Sequence, residues 1–453
     1  MHPLLGEVDW EREGQDAVEL LRALVRFDTS NPPGDEAECI AYLAEGLRQA
    51  GLEPELVSPA PRRANLVARL PARGGGDLPP LLLNGHVDVV AAEAGRWRHP
   101  PFAGEVHGGA VWGRGTVDMK QMVAMSVTVI RLLARLGAPL RRDLLLAAVA
   151  DEEAGCAMGS AYLVDHHPDK VRAGFALGEV GGFTLNLGRR PVYPVQVAEK
   201  GVCWMRARTR GATGHGSLPR ADNAVVRLAE AVTRASRRLP LHPSPEVRRF
   251  IAALADSQPR PARDILPLLL RPRLSNLVLD RMVRQPTAAR GLNALLRNTI
   301  SPTVLRAGYK TNVIPGEAVA ELDGRIAVGS SEQELLAELA AVLGPDVELE
   351  VLRSVPPTVA SPDTELFEVI GEVVAEHHPG AVAVPSVTPG FTDAKYWSEL
   401  GATCYGFAPI RLEPSDGAFA DLFHGDDERV PVAGFKAGLR MLADVVARFC
   451  LAP

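Results

Sequence analysis

Two short, unbroken apolar runs constrain this chain most. Leu81-Leu82-Leu83 and residues 144–150 offer no polar side chain to water, as expected of strands covered on both faces. Helical spacing surrounds them. Val18, Leu20, Leu21, Leu24 and Val25 precede a break at 28–34, and Ile40, Leu43 and Leu47 follow it toward Gly51. A strand is predicted over 65–70 and a helix over 119–137. Strands alternating with helices predict an α/β layer architecture with a mixed sheet.

The pattern changes near residue 195. A strand over 196–210, a turn at 211–216 and a helix over 223–238 come first. Strands over 309–314 and 317–326 flank Pro315-Gly316, and a helix over 331–343 and a strand over 347–352 follow. That order is the split βαβ arrangement of a small ferredoxin-like α+β domain. The α/β pattern resumes after Pro356-Pro357. The expected organisation is one domain built from 1–195 and 356–453, interrupted by an inserted domain at 196–355. Residues 240–306, rich in Pro and Arg, show helical patches without a clear order.

Composition excludes several classes. The 453 residues carry a formal net charge of -6, which does not suit a nucleic-acid partner. A basic stripe from Arg234 to Arg306 fits solvated helix faces or an interface. No apolar run approaches the roughly 18 residues of a membrane span. The first twenty residues are acidic where a signal peptide would be basic and apolar. Five scattered cysteines without a Cys-x-x-Cys pair fit neither a disulfide framework nor a thiolate zinc site. A cytoplasmic setting is expected.

Candidate chemistry gathers at strand ends and loops. His86 and Asp88 follow the first apolar run, and Glu152 and Glu153 follow the second. Ligands in open α/β sheets bind beyond the carboxyl ends of strands. Asp88 is placed to steady the His86 ring. Asp118 closes the turn Gly113-Arg114-Gly115-Thr116-Val117-Asp118, Glu179 precedes Gly181-Gly182, and His424 lies in a polar loop before the last helix. Taken singly, each has a bland alternative: a helix cap for Asp118, a solvated acid pair for Glu152 and Glu153. Together, two imidazoles and several carboxylates are the ligands that a pair of zinc-like cations takes. One of the adjacent glutamates can bind metal while the other meets the water.

These motifs resemble the zinc-dependent metallopeptidase family of aminoacylase, acetylornithine deacetylase, succinyl-diaminopimelate desuccinylase and glutamate carboxypeptidase. The most specific marks are Gly85-His86-Val87-Asp88, Gly113-Arg114-Gly115 through Asp118-Met119-Lys120, and Asp151-Glu152-Glu153. Gly214-His215-Gly216-Ser217, Thr311-Asn312-Val313-Ile314-Pro315-Gly316 and Thr392-Asp393-Ala394-Lys395 add to them. The long 240–306 stretch is most similar to the carboxypeptidase S-like branch, which hydrolyses peptides or N-acyl amino acids.

The resemblance implies a di-metal catalytic domain with an inserted lid or dimerisation domain. It implies that His86, Asp118 and Glu179 hold one metal and that Asp118, Glu153 and His424 hold the other. The metals implied are zinc, with cobalt or manganese as alternatives. Glu152 is implied as general base, Asp88 as the residue orienting His86, and His215 as oxyanion donor, supplied across a homodimer. Asn312, Arg325, Thr392 and Lys395 match substrate-binding positions. The implied reaction is cleavage of an amide in an N-acyl amino acid or small peptide bearing a free carboxylate, by water activated between two zinc ions. The chain departs from the family pattern at Gly178 and Val180 around Glu179. It also has Lys395 where arginine is common, which loses the bidentate fork. Other classes fit less well. A phosphoryl-transfer hydrolase lacks its Gly-x-x-x-x-Gly-Lys loop, and a serine hydrolase lacks Gly-x-Ser-x-Gly. A non-catalytic, ligand-binding relative would be expected to have lost Glu152 or a ligand.

Overall fold

The computed structural model describes the chain except residues 73–77, 187, 189, 284–285, 417–418 and 452–453. The predicted α/β architecture is present, with one large mixed sheet and a smaller antiparallel one. The large sheet has nine strands. Its centre is a parallel run of Arg142–Val149, Leu78–His86, Phe175–Gly178 and Thr403–Gly406, in that spatial order. Arg63–Leu70 flanks it antiparallel on one side. Val192–Glu199 flanks it on the other, with Val382–Thr388 parallel beside it.

Both faces of the sheet are covered, which is why its central strands read as continuous apolar runs. Leu81, Leu83, Leu144 and Leu146 face the main core under helices Trp10–Val25, Lys120–Arg135 and Val432–Cys450. Leu82, Leu145 and Val149 face the opposite side, against Leu163 and Trp397. Burying one such leucine fully is worth about 1.5–3 kcal/mol.

The small sheet runs in the order Thr299–Ala307, Glu317–Ile326, Gly201–Arg210, Val347–Val355, all antiparallel. Helices Ala224–Ala235 and Glu332–Leu343 close its second core on Met205, Leu228, Leu322, Leu335 and Leu339. A capping box of Ser331 and Glu334 starts the second helix. On the outer face, Arg206, Arg208 and Arg210 meet Glu350, Glu317 and Glu348 across the strands.

Three expectations are corrected here. The strand expected over 196–210 is two strands, Val192–Glu199 in the large sheet and Gly201–Arg210 in the small one. The chain changes sheets at Lys200, so residue 196 lies inside a strand of the large sheet. The buried Lys200 ammonium donates to the carbonyls of Ala294 and Arg297 and to Thr299 Oγ1, which fixes that crossing. Next, the hairpin partner of Glu317–Ile326 is Thr299–Ala307, not 309–314. Of the latter only Val313–Ile314 is extended, and it pairs with Gly214–His215. Finally, helices Pro245–Ser257, Pro272–Arg281 and Pro286–Leu296 bring order to 240–306. Their Val247, Ile251, Val278 and Leu296 join the core of the large domain rather than that of the small one.

Candidate active site

The parallel register sets the carboxyl ends of three neighbouring strands side by side. His86 ends the first, Glu152 and Glu153 follow the second past Val149, and Glu179 follows the third past Gly178. Two further loops reach the same edge. Asp118 lies between Ala110–Trp112 and Lys120–Arg135, and His424 precedes Arg429–Pro431. Ala110–Trp112 and Arg429–Pro431 pair with each other, so both loops leave one small sheet.

Two triads result. His86, Asp118 and Glu179 offer ligand atoms all within 4.8 Å of one another, and so do Asp118, Glu153 and His424. Asp118 is shared. Its Oδ1 lies 3.1 Å from His86 Nε2, and its Oδ2 lies 3.2 Å from His424 Nε2. Glu179 Oε2 lies 3.5 Å from His86 Nε2, and Glu153 Oε2 lies 3.2 Å from His424 Nε2. Glu152 belongs to neither triad but stands next to the first, its Oε2 3.9 Å from His86 Nε2. His86 is fully buried, whereas His424 is 55% exposed and forms the solvent side of the cluster.

Hydrogen bonds around the cluster fix the donors. His86 Nδ1 lies 2.9 Å from the backbone carbonyl of Asp88. Donation there leaves Nε2 free to face Asp118. The Asp88 carboxylate is farther from the ring, at 3.5 Å. It accepts instead from the backbone N–H groups of Glu152 and Glu153, at 3.1 and 3.2 Å. Asp88 thus steadies His86 through its main chain and the glutamate turn through its side chain. Asn31 adds a tie from a distant loop, donating to both Asp88 Oδ2 and Asp151 Oδ1.

Glu428 was not among the predicted site residues. It is fully buried. Its carboxylate accepts from the backbone N–H groups of Gly115, Val117 and Asp118 and from the Arg114 guanidinium, at 2.6 to 3.1 Å. Arg114 in turn donates to the carbonyl of Gly425, beside His424. One carboxylate therefore ties the Asp118 loop to the His424 loop. Gly115 lets that loop turn, with φ at +89°, a region in which a side chain is strained. Asp393, part of the Thr392–Lys395 motif but not assigned a role from sequence, is buried and accepts from Ser160 Oγ.

Charge explains what the cluster requires. Burial pushes the Glu179 carboxyl up to about 8 despite the opposing pull of His86. Burial, and then the negative Glu179, raise Glu152 well above the usual carboxylate range. Burial also works against an ionised Asp118, yet hydrogen bonds from His424 and His86 hold its pKa low. Hydrogen bonds to Asp118 and Glu153 push His424 up to about 10. In the bare protein, protonated imidazole is thus what balances these acids. Glu153 Oε1 is buried and has no hydrogen-bond partner. Three carboxylates, of which Asp118 is shared, and two imidazoles, with the orphaned oxygen of Glu153, fit two divalent cations.

The other candidates are more dispersed. His215 and Asn312 lie close together, on the paired segments Gly214–His215 and Val313–Ile314 and the residue before the latter. Both are exposed, and His215 belongs to neither triad; its Nδ1 lies 2.7 Å from Ser217 Oγ. Arg325 forms a bidentate pair with Asp323, at 2.8 and 3.0 Å. Thr392 is buried, and its N–H and hydroxyl both donate to Glu199 Oε2 at 2.9 Å. The Lys395 ammonium lies 3.6 Å from the centre of the Phe391 ring, which the Arg325 guanidinium also approaches at 5.7 Å. Phe391 thus joins a cation from each domain. Val180, which replaces the family's usual glycine, has φ at +59°. The loop after Glu179 keeps a glycine-type conformation at a cost of about 1–3 kcal/mol.

Residues 82–448 match Peptidase family M20/M25/M40, and the chain belongs to that family. It is a hydrolase of the metallopeptidase and aminoacylase type. It is 28% identical over 378 residues to "Probable carboxypeptidase S-like 2" of Dictyostelium discoideum, covering 79% of this chain and 69% of that protein. It is 29% identical over 385 residues to human N-fatty-acyl-amino acid synthase/hydrolase PM20D1, covering 82% and 74%. In fold it is similar to the M20 family metallo-carboxypeptidase Sso-CP2 of Sulfolobus solfataricus. That likeness has a TM-score of 0.71 at 15% identity and covers 95% of this chain and 98% of that one. Among the described residues, no helix is long and apolar enough to cross a membrane.

Proposed function

We propose that this chain cleaves the amide bond of an N-acyl amino acid or small peptide whose leaving side carries a free carboxylate. The observation that carries the proposal is the pair of triads sharing Asp118, with the Glu152 carboxylate beside them. The roles follow from position. His86, Asp118 and Glu179 hold one divalent ion, and Asp118, Glu153 and His424 hold the other. Zinc suits nitrogen and oxygen donors without thiolate, and cobalt or manganese suit the same set. When bound, such ions supply positive charge that polarises a scissile carbonyl and acidifies water.

Glu152 does the proton work. Its carboxylate takes a proton from the attacking water and returns it to the departing nitrogen. In the bare protein, burial and the nearby Glu179 raise its pKa above the usual carboxylate range. Asp88 and Asn31 keep the glutamate turn rigid while this happens. His215 donates to the developing oxyanion. Arg325, Asn312, Thr392 and Lys395 are the substrate-binding residues of this reading, brought together when the inserted domain closes or a second subunit docks, with the cations receiving the carboxylate. Thr392 contributes by fixing Glu199, and Lys395 brings a buried charge with an aromatic neighbour.

The names of the two relatives point the same way: one is a carboxypeptidase S-like protein, the other acts on N-fatty-acyl amino acids. Substrate polarity tests the pocket. Amidating the free carboxylate of an accepted substrate is expected to lower kcat/KM at least tenfold. Equal turnover of acid and amide would assign Arg325 and Lys395 to domain pinning instead.

The inserted domain, with the crossing at Lys200 and the return before Thr358, serves as lid and dimerisation unit. His215 lies on that domain and is exposed, so it reaches the metals by lid closure or from a second subunit. We favour a homodimer with donation in trans. Mixing His215→Ala subunits with Glu152→Gln subunits is expected to restore activity that neither has alone. Subunit exchange without recovery would mean that each chain uses its own His215. A cytoplasmic location accords with five buried, unpaired cysteines.

A further inference from the structure

The two most exposed large apolar side chains among the described residues are Tyr309 and Leu218, at 85% and 70%. Both flank His215. The Leu218 N–H donates to the His215 carbonyl at 2.9 Å, closing a turn over 215–218. His215 pairs with Val313 across the two short strands. The Val313 N–H donates to the Lys310 carbonyl at 3.2 Å, closing a second turn directly after Tyr309. The Gly216 N–H donates to the Asn312 carbonyl at 2.9 Å and ties the two turns together. An open cleft of about 620 Å³ lies against the same unit, lined by Tyr309, Gly214, Val313 and Ile314 among others.

We propose, on the reading above that His215 donates to the oxyanion, that Leu218 and Tyr309 form an acyl-binding lip that selects N-acyl amino acids with a long apolar acyl chain. A donor to the oxyanion stands about 3 Å from it. A turn keeps its first and last Cα atoms within about 7 Å, so Leu218 travels with His215 to the scissile carbonyl. Tyr309 travels with them, because its turn is hydrogen-bonded to the first one. Both side chains therefore arrive beside the substrate, whether the unit comes from the same chain or from a second subunit.

Chemistry decides which half of the substrate they meet. The carboxylate half is received by the cations of Arg325 and Lys395. A leucine pressed on a carboxylate would strip its water and return no hydrogen bond. The acyl half carries no charge, and an alkyl chain gains by leaving water for an apolar surface. An acetyl group ends one methyl beyond the carbonyl and offers the lip little. A longer chain can lie along Leu218 and Tyr309 into the cleft.

The test is hydrolysis of N-acetyl-leucine and N-decanoyl-leucine by the metal-loaded full chain, as wild type, Leu218→Ser, Tyr309→Ser and Leu218→Met. Wild type is expected to favour the decanoyl substrate at least tenfold in kcat/KM, and each serine variant to lower that ratio at least fivefold. Leu218→Met keeps an apolar side chain and should keep the ratio. Both positions are exposed, so circular dichroism and sedimentation should match wild type. A wild type that favours the acetyl substrate, or a ratio unchanged in both serine variants, would overturn the proposal. So would a lowered ratio that tracks dissociation of a wild-type dimer, because the two side chains would then serve subunit contact. The catalytic reading fails separately: His215→Ala would hydrolyse both substrates at the wild-type rate, or wild type would hydrolyse neither, and the lip would fall with it.

Discussion

Glu152→Gln is expected to keep the fold and the bound metals and to lose kcat by two orders of magnitude or more. The change removes no triad ligand and is isosteric, so its cost falls on proton transfer. A general base is worth about 10²–10⁴-fold, and a hundredfold loss corresponds to about 2.7 kcal/mol of barrier. Glu153→Gln is expected to differ. Glu153 stands 3.2 Å from His424 in the second triad, so its loss should lower the occupancy of one metal. Steady-state kinetics combined with metal analysis separates the two. If Glu153→Gln keeps its metal while Glu152→Gln loses one, the roles of the neighbours are exchanged.

Glu428→Ala is expected to have the second large effect, although Glu428 is not a member of either triad. Removing it strips four donors of their acceptor in a fully buried place. Each buried donor left unpaired costs about 1–3 kcal/mol, and Arg114 would be a buried cation without its partner. The loop that suffers carries Asp118, the one ligand common to both triads. Metal affinity should therefore fall at both positions together, by at least tenfold, with Tm falling as well. Glu428→Gln keeps part of the hydrogen bonding and should lie between wild type and Glu428→Ala. Loss of one metal with full retention of the other would show that Glu428 does not act through Asp118.

The legibility of this chain divides along physical lines. The parallel core was readable because its strands are covered on both faces, so Leu81-Leu82-Leu83 and 144–150 appear as bare apolar runs. The residues of the two triads were readable because all but His424 follow such a strand or a Gly-rich turn, and their types are those that metals take. The resemblance then supplied roles that spacing could not.

What escaped has equally definite causes. Lys200 divides one apolar stretch between two sheets, and period-2 alternation does not reveal which sheet a strand joins. Thr299–Ala307 lies at a sheet edge, mostly exposed and with no buried residue, and reads as polar coil. The helices of 240–306 bury only one side on the large domain, and Pro and Arg obscure that stripe. Glu428 accepts from backbone N–H groups about three hundred residues away in sequence, and the Asn31 side chain donates to a carboxylate 120 residues away. No local pattern records such a contact. The only signal for Glu428 was its place in the His424 loop.

The claim that two metal ions shared through Asp118 drive amide hydrolysis is tested most directly by metal titration of the apo-protein. Chelator-treated protein is expected to be inactive on an N-acyl amino acid or dipeptide substrate. Activity should return with added zinc or cobalt and level off at about two equivalents bound at the catalytic site. Hydrolysis at full rate by protein verified to be free of metal would contradict the account.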